Sequence, residues 1–189
     1  MRRCFLTLGV LVAVAALPIV PSALAAGSGP PQWVITSVSG PANFPPASSG
    51  DQYVVTATNV GGEATSGPVT IEDLLPASGV EVTGIVDSPE GEKGNGEAFR
   101  QASLSCPSLP VTSSVSCAYA GAVAPGDTLR LTLVAKVTAT GGALENDAKV
   151  SGGGAAVAST SETTQVSTEP ARFGVANFFS ATSKGRSPA

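Results

Sequence analysis

Between Asp51 and Pro76 apolar and polar positions alternate along two runs, with a glycine-rich break between them. Tyr53, Val55 and Ala57 fall on one side of the first run, while Gln52, Thr56 and Thr58 include its more polar residues. That two-residue period belongs to a strand with one buried face. Asn59-Val60-Gly61-Gly62 then supplies residues that tolerate positive φ. Val69-Thr70-Ile71-Glu72 resumes the alternation, and Pro76, which has no ladder donor, ends it. The pattern predicts strand, turn, strand and stop.

The same pattern recurs along the chain. Trp33–Val38 predicts a first strand, followed by a loop through Phe44-Pro45-Pro46 and Ser48-Ser49-Gly50. Val80–Ile85 is another strand, after Leu74–Gly79 as a strand end and turn. The L-P-x-S-G in that turn resembles a cell-wall sorting signal, but an alternating strand follows it where an apolar segment and basic tail would be needed. Val123–Asp127 is a turn before the clearest strand, in which Leu129, Leu131 and Leu133 alternate with Arg130, Thr132 and Val134 as far as Thr138. Gly141-Gly142 turns the chain into a strand at Leu144–Gly152, and Ala155–Val166 adds one more. No helical period intervenes, so the fold class is all-β, a Greek-key sandwich.

Composition agrees, with aromatics at 5% and a chain of 189 residues, enough for one domain with a real core. Met1-Arg2-Arg3, the apolar run Phe5–Val20 and Ala23-Leu24-Ala25 read as a signal peptide over 1–25, cleaved before Ala26. Pro18 and Pro21 interrupt the run and argue against a lasting membrane anchor. Arg2-Arg3-Cys4-Phe5-Leu6 also resembles a twin-arginine export signal, so the general secretory and twin-arginine routes both stand. Either leads to a secreted, extracellular or cell-surface location, without a stable membrane span once the leader is gone. Residues 26–32 are a flexible entry, 33–168 the sandwich and 169–189 a C-terminal tail.

Charge and residue types narrow the function. The net charge is −4, and losing Arg2 and Arg3 makes the mature chain more acidic. The remaining basic residues are scattered, which excludes nucleic acid as a partner because phosphate binding needs clustered Lys and Arg. There is no histidine, so Ser-His-Asp and Cys-His catalysis are excluded. No catalytic residue or cofactor is assigned.

Cys106 and Cys117 remain after leader removal, and in an oxidising compartment they predict a disulfide stapling a loose insertion. The acidic segment 87–97 offers Asp87, Glu90, Glu92 and Glu97 as weak metal candidates. Their spacing is not that of an EF-hand, and a solvated loop is the plainer expectation. Trp33 is read as a packing residue, with a sugar-binding platform as its functional alternative. A self-made Lys–Asn crosslink would need Lys136 or Lys149, Asn146 and an acid such as Asp73 in one buried cluster.

Tyr53-x-Val55-x-Ala57-x-Asn59-x-Gly61, Val69-x-Ile71-x-Asp73-x-Leu75-Pro76, the Cys106 and Cys117 pair, Ala124-Pro125-Gly126 and Asn146-x-Ala148-x-Val150-Ser151-Gly152 form an ordered set. Together they resemble the bacterial repeat domain of unknown function number eleven, over roughly Trp33 to Thr168. The resemblance implies an immunoglobulin-like sandwich of about seven to eight strands, of the type found in large secreted or surface proteins of actinobacteria. It implies no chemistry. Glu169–Phe179 resembles the opening of a further segment of such proteins, so a truncated fragment of a larger surface protein is one reading of the chain.

The function expected on these grounds is a non-catalytic spacer or adhesion-type interaction module, with other envelope or extracellular proteins or glycans as partners. The alternative is a carbohydrate- or calcium-binding extracellular module.

Overall fold

The computed structural model describes residues 29–86, 90–94, 98–100 and 104–169, with backbone alone at 90–92 and 98–100. The signal peptide over 1–25 and residues 170–189 of the tail lie outside them. Every regular element described is a strand. Eight are substantial: β1 (Trp33–Gly40), β3 (Ser49–Asn59), β4 (Val69–Leu74), β5 (Val80–Ile85), β8 (Ser114–Tyr119), β9 (Thr128–Val137), β10 (Gly142–Gly152) and β11 (Ala155–Val166). Three are two or three residues long: β2 (Asn43–Phe44), β6 (Glu90–Glu92) and β7 (Ala98–Arg100).

These strands form two sheets, one in the order β1-β3-β9-β6-β7 with β5 also paired to β9, the other in the order β2-β11-β10-β4-β8. From one described strand to the next the chain changes sheet at every step except through β5, β6 and β7 and between β10 and β11. Neighbours within a sheet are therefore often distant in sequence, as in an immunoglobulin-like β-sandwich. All pairings are antiparallel except β2 with β11.

Alternation decides which side chains meet between the sheets. Tyr53, Val55, Ala57, Leu129, Leu131 and Leu133 point inward from the first sheet, and Val69, Ile71, Val115, Cys117 and Val150 from the second; all are at most 1% exposed. Phe44 is also fully buried, its ring edge-on to that of Tyr53 with centroids 5.1 Å apart. The expected loop at Phe44 is thus a core-forming β2. A two-residue strand is too short to show an alternation, and the prolines after it mask the pairing.

The β10–β11 hairpin turns through Gly152, Gly153 and Gly154, with φ of 88°, 69° and 81°. This left-handed run suits glycine alone, and a Cβ on Gly152 would lie 2.3 Å from the Pro68 carbonyl oxygen.

Cys106 and Cys117 are joined. The segment they staple is less loose than expected, because Cys117 sits in β8, fully buried and opposite Ile71 of β4. Ser105 bridges to Ala118 and Val111 to Val82, tying the intervening chain to both sheets. Closing so short a loop restricts the unfolded chain, and its reduction is expected to lower stability by about 2–3 kcal/mol. Denaturant unfolding with and without a reductant measures this; equal midpoints would show that β8 pairing alone holds the segment.

Candidate functional site

Polar residues on the inward parity of three neighbouring strands create a polar centre inside the sandwich. Asp73 follows Val69 and Ile71 on the buried face of β4. Asn146 lies between Leu144 and Ala148 on β10, and Thr164 precedes Val166 on β11. All three are 0% exposed. Register brings them together: Asp73 is opposite Ala148, one inward step from Asn146, while Thr164 is opposite Leu144, one inward step the other way. Asn146 Nδ2 donates to Asp73 Oδ2 at 2.9 Å. Tyr53, fully buried, enters from the facing sheet and interacts with Thr164 and Asp73.

Four oxygens here have no hydrogen-bond partner: Tyr53 OH, Asp73 Oδ1, Asn146 Oδ1 and Thr164 Oγ1. The Tyr53 and Thr164 hydroxyls face one another outside strict hydrogen-bond geometry, close enough that Thr164 still pulls the phenol down. Burial pushes the Asp73 carboxyl up to about 6, the amide of Asn146 pulls it back, and the charges of Glu162 and Asp147 add to the rise. Burial also pushes the Tyr53 phenol up to about 12, against the pull of Thr164.

A polar rim connects this centre to the sandwich edge. Glu162, half-buried and opposite Asn146, accepts from the Ser39 backbone N–H at 2.5 Å and from Ser37 Oγ at 3.0 Å. It thereby covers donors on the otherwise open edge of β1, which would invite a foreign strand.

The structure joins two members of the cluster that a crosslink would need and separates the third. Asp73 and Asn146 are in contact, but Lys149 pairs with Glu72 at 2.6 Å and Lys136 with Glu81 at 3.5 Å. Both lysines occupy the outward parity of their strands, so neither amine reaches Asn146. Trp33 is 4% exposed and its Nε1 donates to the Gly152 carbonyl at 3.2 Å. It is a packing residue, and a buried ring presents no face to a sugar. The side chains of Asp87, Glu90, Glu92 and Glu97 lie outside the described residues. The backbone of Glu90–Glu92 pairs with Ala98–Arg100, so the expected loop contains a short hairpin. Among the described residues, no three His, Cys, Asp or Glu side chains gather as a metal-binding group.

At one pole of the sandwich the loops are locked by Asn59. Its Oδ1 accepts from Gln32 N at 3.2 Å and Gly61 N at 3.0 Å, and its Nδ2 donates to Glu63 O at 2.8 Å and Val123 O at 3.0 Å. Thr65 adds a second tie, its Oγ1 accepting from Val123 N at 2.8 Å. Gly61 is pressed so closely on this frame that a Cβ would lie 2.3 Å from Pro30 O. Beside it runs a shallow groove lined by Gly29–Gln32, Val60–Gly62, Gly154 and Ala156.

No family model matches the chain, and no curated protein matches it. Solved structures do resemble it. A cohesin module from a Clostridium perfringens family 33 glycoside hydrolase has 8% identity and a TM-score of 0.48, covering 72% of this chain and 96% of that one. A non-cellulosomal cohesin from the archaeon Archaeoglobus fulgidus has 14% identity and a TM-score of 0.46, covering 72% and 91%. The collagen-binding domain of a Staphylococcus aureus adhesin has 9% identity and a TM-score of 0.38, covering 70% and 96%. At these identities the likeness is one of shape, and the functional reading rests on this chain's own residues.

Proposed function

We propose that this protein is a non-catalytic secreted or cell-surface module that spaces or presents interaction loops, and that it belongs to the bacterial immunoglobulin-like repeat domain of unknown function number eleven. The observation that carries this reading is the locked pole, where Asn59 spends all four of its hydrogen bonds fixing three loop segments to the sandwich. Loops held by a rigid scaffold suit recognition, because little ordering entropy is lost on binding. The residues that carry the family resemblance include Asn59, Gly61, Asp73 and Asn146, each of which has a structural task here. Protein or glycan partners of the envelope or extracellular space fit an acidic, histidine-free chain with a secretion-type leader. Among the described residues no helix is long and apolar enough to cross a membrane.

Beads carrying the mature chain, 26–189, are expected to adhere to surfaces coated with extracellular protein or envelope glycan. Adhesion should weaken severalfold when Val60, which is 43% exposed at the pole, becomes Asp. The same preparation should turn over no ester, peptide or glycoside substrate. Turnover that is lost in the Asp73→Asn variant would overturn the reading and make the buried acid a catalyst.

A further inference from the structure

The polar centre between the sheets is more than a packing defect. Buried polar groups are almost always paired, because an unpaired one costs its full desolvation. Here four strands, β3, β4, β10 and β11, each send one unpartnered oxygen into the same region from a side chain that is 0% exposed. These oxygens are a carboxylate, an amide carbonyl and two hydroxyls, all hard donors, with neither sulfur nor imidazole among them. Charge is unbalanced as well. The charged groups acting on Asp73 are Glu162 and Asp147, and those acting on Tyr53 are Glu162, Asp73 and Asp51, so every one is acidic. Lys136 and Lys149 are engaged with glutamates on the outer faces, and Arg130 sits on the outward parity of β9, opposite Thr56.

A centre with hard oxygen donors, one fully buried carboxylate and only acidic groups acting on it has the chemistry of a cation site. The geometry points to a structural site for one monovalent hard cation of the sodium class, held by Asp73 Oδ1, Asn146 Oδ1, Thr164 Oγ1 and Tyr53 OH. The charge of the donor set decides the valence: one carboxylate is neutralised by one positive charge. Glu162 is committed to Ser37 and Ser39 at the rim. Such an ion would join the two sheets at the level of Tyr53 and reach the centre from the β1–β11 edge, where Ser37, Ser39 and Glu162 form a polar path.

Denaturant unfolding of the whole mature chain at pH 8 and constant ionic strength tests this, with tetramethylammonium chloride replaced stepwise by NaCl. The unfolding midpoint is expected to rise, and to go on rising with the logarithm of the sodium concentration once the site is filled. At a sodium concentration ten times the half-saturating value, the folding equilibrium constant should have grown about tenfold. Asp73→Asn should abolish the response, and Thr164→Val should move half-saturation to higher sodium. Sodium-23 line broadening by the folded protein, lost in Asp73→Asn, reads the same site without unfolding. Identical midpoints in the two salts would overturn the site. So would a response that persists in Asp73→Asn, and a response to CaCl2 without one to NaCl would overturn the monovalent assignment.

Discussion

Replacing Asn59 with alanine is expected to lower the unfolding free energy by about 3–5 kcal/mol, read from denaturant midpoints at constant slope. The side chain is 0% exposed and serves two backbone N–H groups and two backbone carbonyls at once. Alanine leaves all four without that partner; the bonds to Gly61 N and Val123 O lie in the buried part of the pole and those to Gln32 N and Glu63 O nearer the surface, and each buried group so stranded costs about 1–3 kcal/mol, less whatever local relaxation recovers. Backbone bonds at the same pole, Val60 N to Gln32 O at 2.8 Å and Gly62 N to Gly29 O at 3.0 Å, limit that relaxation. Thr58→Ala is the control: its hydroxyl shares one 2.9 Å bond with Thr128 at a half-buried position, so a loss of about 1 kcal/mol or less is expected. If the two substitutions cost the same, the pole is held by its backbone pairing and not by Asn59.

The strands are legible in the sequence because their alternation is strong. Val80–Ile85 and Ala155–Val166 begin and end where expected, and Tyr53, Val55 and Ala57 are fully buried on one face. Phe44, β8 and the β6–β7 hairpin are not legible. Phe44 pairs through two residues next to prolines. In β8 the inward set Val115, Cys117 and Tyr119 lies next to a proline- and serine-rich stretch that reads as loop.

The polar centre is half legible. Asp73 and Asn146 come together in the sequence reading, but for a crosslink whose lysines the strand parity places outside. Tyr53 reads there only as apolar, and Thr164 does not stand out from the polar residues around it. The signal that finds all four is parity: each shares the inward side of its strand with Val, Ile, Leu or Ala, so a polar group there must be buried. What parity cannot supply is which strands face one another. That information lies in the crossing of the chain between sheets.

Stability should fall as pH rises through Asp73's titration, by about 3 kcal/mol between pH 3 and pH 8, in buffers whose cations are large organic ions. The carboxyl moves from an ordinary value of 3.8 up to about 6 on folding, and every tenfold gain in proton affinity corresponds to about 1.4 kcal/mol. The sign follows from proton binding. Above 3.8 the unfolded chain has released its proton while the folded chain keeps it until about 6, so the native state binds more protons across that window. The stabilising contribution is therefore complete below the unfolded value and lost as pH climbs through the folded one, opposite to the behaviour of a salt-bridged acid. Asp73→Asn isolates it from the other carboxylates. Its carbonyl can still accept from Asn146 Nδ2, and its amide never ionises. The variant should match the parent near pH 3 and exceed it by about 3 kcal/mol at pH 8. Parallel stability curves for the two proteins would mean that Asp73 is ionised in the folded state throughout, with its charge compensated inside the sandwich.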